Sequence, residues 1–70
     1  MEHVAVRSRD IAIVGYDKDV HALEIAFRSG GVYRYLDVPE GVYQALMSAP
    51  SYGNYFRDYI KNNFKYEKVS

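Results

Sequence analysis

The chain has no cysteine in its 70 residues. That excludes disulfides and thiolate metal sites at a length where natural domains often depend on one or the other. It also lacks any apolar run approaching the roughly 18 residues of a membrane span. The opening Met1-Glu2-His3-Val4 has neither the basic flank nor the following apolar stretch of a secretory leader. These absences set the expectation of a cytoplasmic protein with no membrane partner. Net charge is missing too, because nine basic residues balance nine acidic ones. The broad positive field of a nonspecific nucleic-acid binder is therefore not available. No repeat, low-complexity tract or linker interrupts the chain, so residues 1–70 are read as one domain.

What the chain does have is rings: eight tyrosines and three phenylalanines. A domain this small buries only about 60% of the surface its unfolded chain exposes. Large rings bury the most area per residue, so the aromatic load is first a means of building a core.

The pattern of side chains predicts an α+β fold. Ile11-Ala12-Ile13-Val14-Gly15-Tyr16 is rich in β-branched residues and stops at the polar cluster Asp17-Lys18-Asp19, as a strand ending in a turn does. Leu23, Ile25 and Phe27 alternate with Glu24, Ala26 and Arg28, the period-2 pattern of a half-buried strand. Ser29-Gly30-Gly31 signals a tight turn before a third strand, Val32 to Leu36. Asp37-Val38-Pro39-Glu40 then predicts a helix start, with Asp37 as cap and Glu40 completing a capping box. Val42, Ala45, Leu46 and Ala49 mark one helical face, which Pro50 ends. Ser51 caps a second helix expected to reach about Asn63 and to bury Tyr52, Phe56, Ile60 and Tyr59. The expected architecture is a three-stranded antiparallel meander followed by two helices packed on one face. Alternation from Phe64 to Val69 adds a short C-terminal edge strand.

Tyr33 and Tyr35 share a sheet face, and the preceding loop decides which one. A two-residue loop sets them beside Glu24, Ala26 and Arg28 as an exposed platform. A three-residue loop with a left-handed glycine sets them beside Leu23, Ile25 and Phe27, toward the core. Arg34 weighs on the choice, since the first register drives its guanidinium into the apolar face. An unpaired buried charge is costly, whereas an inward tyrosine needs one hydroxyl partner. Inward tyrosines are the favoured reading, and the stacking platform is its alternative.

Catalytic chemistry finds no foothold. The serines lie in no nucleophile-elbow setting, and Gly30-Gly31 is not followed by the lysine and helix of a phosphate loop. From Asp17, the sixth and twelfth positions of a calcium loop hold Ala22 and Arg28, so that pattern fails. No metal, cofactor or enzymatic activity is expected. Binding has better candidates. Residues 51–70 carry four bases against two acids. Within them Ser51, Gly53 and Asn54 open the second helix, and Arg57, Lys61 and Lys65 recur at a spacing of four. Such a row is read as a track for a phosphate backbone, with Tyr33 and Tyr35 as stacking rings if they face outward.

The ordered series Gly15-Tyr16-Asp17, Leu23-x-Ile25-x-Phe27, Gly30, Tyr33-x-Tyr35, Val38-Pro39, Tyr43, Ala49-Pro50-Ser51-x-Gly53-x-Tyr55-Phe56 and Ile60-Lys61 resembles the KTSC domain. That family is named for its occurrence at the C-terminus of some lysyl-tRNA synthetases and also occurs as a short stand-alone bacterial protein. The resemblance covers about Val4 to Val69. Arg57 stands where many members have asparagine. Phe64 stands where they have tyrosine, so no hydroxyl at that position is essential here. Through the synthetase fusion the resemblance implies RNA as partner. The competing expectation is a protein-interaction or self-association module that uses an exposed sheet face or edge.

Overall fold

The computed structural model describes residues 1–70. Its strands are β1 (Glu2–Ala5), β2 (Ile11–Asp17), β3 (Ala22–Phe27), β4 (Val32–Tyr35) and β5 (Tyr66–Lys68), side by side in chain order in one antiparallel sheet. Between β4 and β5 the chain forms helix α1 (Glu40–Ser48) and helix α2 (Tyr52–Tyr55), and α2 runs directly into a π turn over Phe56–Ile60. The α+β class holds, but the sheet has five strands rather than a three-stranded meander. The additional strand β1 is exposed at every residue. Without a buried face it shows no apolar alternation, and only its pairing with β2 defines it.

The hairpin between β3 and β4 settles the tyrosine register. The Phe27 amide donates to the Gly31 carbonyl at 2.8 Å and the Gly30 amide to the Phe27 carbonyl at 2.9 Å, closing a loop of Arg28, Ser29 and Gly30. Gly30 adopts φ 118°, a conformation that disfavours any side chain. Leu23 then lies opposite Tyr35 and Ile25 opposite Tyr33, so both tyrosines point to the helix-covered face. Arg34 falls on the other face, beside Glu24.

That inner face carries the core. Ile11, Val14, Leu23 and Ile25 from the sheet pack on Leu46 and Ile60 from the helical layer, all fully buried. Each contributes about 1.5–3 kcal/mol by leaving water. Ile11 and Val14 both point inward despite their odd spacing, because the register shifts between Ile11 and Ile13. The bulge at Ala12 explains why the sequence of β2 shows no clean alternation.

Two helix expectations are corrected. Asp37 does not cap α1. It takes a left-handed φ of 55°, and Pro39 is the N-cap, with no side-chain capping bond. The chain turns there to push Val38 under the sheet before the helix begins. The Val38 amide donates to the His21 carbonyl at 2.9 Å, and its carbonyl accepts from the buried Tyr16 hydroxyl. The second helical segment ends at Ile60 rather than near Asn63. Its π turn, with the Lys61 amide donating to the Phe56 carbonyl at 2.9 Å, keeps Phe56 and Ile60 in the core but leaves Tyr59 57% exposed. The expected burial of Tyr59 assumed a regular 3.6-residue helix.

Candidate functional site

The helical layer does not cover the whole inner face. Toward the β4–β5 edge it leaves a groove of about 510 Å³ between the sheet and the π turn. Phe27, Tyr33, Tyr35 and Tyr66 form its sheet wall and Phe56 its helical wall. The rings brace one another edge to face. Tyr33 meets Phe27 at 5.7 Å and Tyr66 at 5.6 Å between centroids, and Tyr35 meets Phe56 at 5.4 Å. Tyr35 is 4% exposed, whereas Tyr66 on the edge strand is 57% exposed and forms the open rim. Burial lifts the Tyr35 phenol above its ordinary value, with Tyr66 and Tyr33 adding to the effect. At neutral pH it therefore stays protonated and able to donate.

The other lip is polar: Asp10, Ser29, Asn54, Arg57, Lys61 and Asn62. The π turn has a bearing on this. An α-helix drifts away from a spacing of four, and the wider π turn offsets the drift, so Gly53, Arg57 and Lys61 all reach one groove. Arg57 bonds Asp58 at 3.0 Å, with the two side chains 63% and 52% exposed. A solvated pair of this kind is worth about 0–1 kcal/mol and leaves the guanidinium exchangeable.

Of the residues singled out from sequence, Tyr33, Tyr35, Gly53, Asn54, Arg57 and Lys61 line this groove together. Ser51 caps α2 through its hydroxyl, which accepts from the Asn54 amide at 3.2 Å, and it faces a neighbouring cleft instead. Lys65 does not extend the row. The helix has ended by then, and the Lys65 carbonyl accepts from the Leu36 amide at 2.8 Å as the chain returns toward β5. Tyr66 and Asp10 were not foreseen. A side chain at Gly53 would place its Cβ 3.1 Å from Asp10 Oδ2, so the opening at Gly53 is faced by the protein's own carboxylate. Spacing along the sequence gave no signal for Asp10, because the loop between β1 and β2 brings it there.

The open face of the sheet is organised differently. Arg34 donates to Glu24 at 3.0 Å and to Glu67 at 3.3 Å, and the His3 ring lies 3.1 Å from Glu24. The His3 ring reaches Glu24 across Gly15, where an added Cβ would sit 2.7 Å from the imidazole. Burial alone would raise the Glu24 carboxyl. The hydrogen bonds and charges of His3 and Arg34 outweigh it and hold the group below its ordinary range.

Fold and groove together define a small α+β domain with one helix-covered sheet face and an aromatic cleft at its edge. The KTSC domain family matches residues 7–64, and the chain belongs to that family. The crystal structure of a KTSC domain protein from Yersinia pestis superposes with a TM-score of 0.96 at 43% identity, covering 99% of this chain and 97% of that one. An uncharacterised protein of Stutzerimonas stutzeri is 39% identical over 99% of both chains. A lysine–tRNA ligase of Trichormus variabilis is 46% identical over 55 residues, 79% of this chain but only 10% of the ligase. The chain thus spans about a tenth of the ligases it matches. No helix is long and apolar enough to cross a membrane.

Proposed function

We propose that this domain binds single-stranded RNA in the aromatic groove, without catalysing a reaction. The observation that carries the reading is the meeting of an aromatic wall with Arg57 and Lys61 at one cleft. Single strands are held by stacking on rings, about 1–3 kcal/mol per base, and by cations along the backbone. Tyr66 offers the exposed ring, and Tyr33 and Tyr35 the depth. Asp10 repels phosphate but accepts from base amino and imino groups, so it suits the base end of the groove. The lysine–tRNA ligase relatives add an associational reason for RNA.

Binding of labelled single-stranded RNA, measured against salt, tests this directly. Log affinity should fall with log salt by about 0.7 for each phosphate contacted. Tyr66→Ala should weaken binding by about 1–3 kcal/mol. No binding at low salt, or a response flat in salt, overturns the reading.

The open sheet face supports a second reading. Ala5, Ile13, Ala26 and Val32 form an apolar cross-strand row there, with Ile13 38% exposed. Self-association through this row would appear as concentration-dependent sedimentation, and a strictly monomeric profile discards it.

A further inference from the structure

A second cleft of about 440 Å³ adjoins the groove, lined by Arg7, Ser8, Arg9 and Ser51 and by Asp10, Gly53 and Asn54, which it shares with the groove. Its character is opposite. Pro50 and a single ring, Tyr52, complete its lining, in place of the five rings of the groove. Two arginines from the β1–β2 loop stand on one side of it. We propose that this cleft is a phosphate subsite continuous with the groove, so that one RNA strand places a base among the tyrosines, with its edge toward Asp10, and carries the adjoining phosphates to Arg7 and Arg9.

Partner accounting singles out these arginines. Arg28 is committed to the Ser8 and Val6 carbonyls at 2.6 and 3.0 Å and Arg34 to Glu24 and Glu67, while Arg57 has an exposed, exchangeable partner in Asp58. Arg7 and Arg9 make no hydrogen bond or ion pair. A guanidinium presents a rigid fork of donors that matches phosphate oxygens, so an unpaired pair beside a polar cleft fits an anionic group.

The loop that carries them is held in place. The Arg28 side chain binds its Val6 and Ser8 carbonyls, the Arg28 amide donates to the Asp10 carbonyl at 2.9 Å, and the Ser8 hydroxyl accepts from the Asp10 and Ile11 amides. A preformed loop loses little freedom on binding. Gly53 lies at the saddle between the clefts. The Asp10 carboxylate faces Gly53 there, its Oδ2 3.1 Å from where a Cβ would sit, so a base edge rather than a phosphate lies at the saddle and the phosphate lies beyond it, at the arginines.

This inference rests on the RNA reading of the groove, and one set of titrations separates the two. Fluorescein-labelled oligouridylates of increasing length are titrated into the wild-type protein, Arg7→Ala/Arg9→Ala, Arg7→Lys/Arg9→Lys and Arg57→Ala/Lys61→Ala, with circular dichroism to verify folding. Wild-type affinity should rise once the oligomer is long enough to span both clefts. In Arg7→Ala/Arg9→Ala that rise should vanish and the salt slope should shrink by about 1.4, two phosphate contacts' worth. The lysine variant should keep most of the slope, and binding of the shortest oligomer should be unchanged in both. Unchanged slope and length dependence in Arg7→Ala/Arg9→Ala, with binding lost in Arg57→Ala/Lys61→Ala, overturns the subsite and leaves the groove standing. No binding of any oligomer by wild type overturns both. Should the alanine variant fail to fold, a wild-type affinity that is flat with length suffices to overturn the subsite.

Discussion

On the open face of the sheet His3, Glu24, Arg34 and Glu67 bond one another across four strands, whereas at the groove and its adjoining cleft the Arg7, Arg9, Lys61 and Asp10 side chains make no ion pair and Arg57 makes only a solvent-exposed pair with Asp58. The same residue types thus serve different ends a few ångströms of sheet thickness apart. A cation whose donors are filled by neighbouring carboxylates stabilises the fold and has little left for a ligand. A cation held near a cleft without a partner adds little to the fold and keeps its donors for whatever enters. In a chain of zero net charge this partition matters more than the total, since cations that are unpaired, or paired only across solvent as Arg57 is, keep donors for a polyanion at close range.

Variants on either face test the contrast, and their effects on stability should descend in order. Tyr16→Phe removes the hydroxyl that donates to the buried Val38 carbonyl, so chemical denaturation should show a loss of about 1–3 kcal/mol. Burial, then Glu40 and Asp17, raises the Tyr16 phenol above its ordinary 10.0. Its contribution is full below pH 10.0 and is lost as pH rises through the higher folded value. The wild type should therefore weaken at alkaline pH, and Tyr16→Phe should show a shallower decline.

Glu24→Gln should cost about 1–2 kcal/mol at neutral pH, because Arg34 and His3 lose a charged acceptor. The folded carboxyl lies below its ordinary 4.5, so its contribution is full above that pH and disappears as pH falls through the folded value. The variant should have a flatter acid limb, with RNA affinity unchanged. Gly15→Ala should cost less, below about 1 kcal/mol, since the His3 ring can swing away and surrender one exposed pair while Arg34 keeps its bond to Glu24. Arg57→Ala/Lys61→Ala should leave stability within about 0.5 kcal/mol of wild type and act on binding instead.

Strand β2 was legible from its β-branched residues and the polar turn after it, and β3 and β4 because alternation and turn chemistry agree there. Arg34 was the informative residue for register, since only one loop length kept its charge out of the core. Strand β1 was not legible, for its four residues bury nothing and depend on a partner strand. Asp37 misled because its resemblance to a cap competes with a left-handed turn that only the burial of Val38 requires. Their spacing of four anticipated that Arg57 and Lys61 share one cleft, but not that Lys65 lies outside it, because a helix end set by core packing is invisible in a row of cations. Tyr66, Asp10, Arg7 and Arg9 arrive from opposite ends of the chain, and no local pattern joins them.

The most direct test compares cations of the two faces in one assay. The salt dependence of RNA binding is measured for wild type, for Arg57→Ala/Lys61→Ala and for Arg34→Ala. The groove variant should lose affinity and about 1.4 of slope, while Arg34→Ala keeps the wild-type slope even if it is less stable. Equal loss of slope in both variants would mean that RNA senses only the protein's overall charge, and would contradict the division of labour between the two faces.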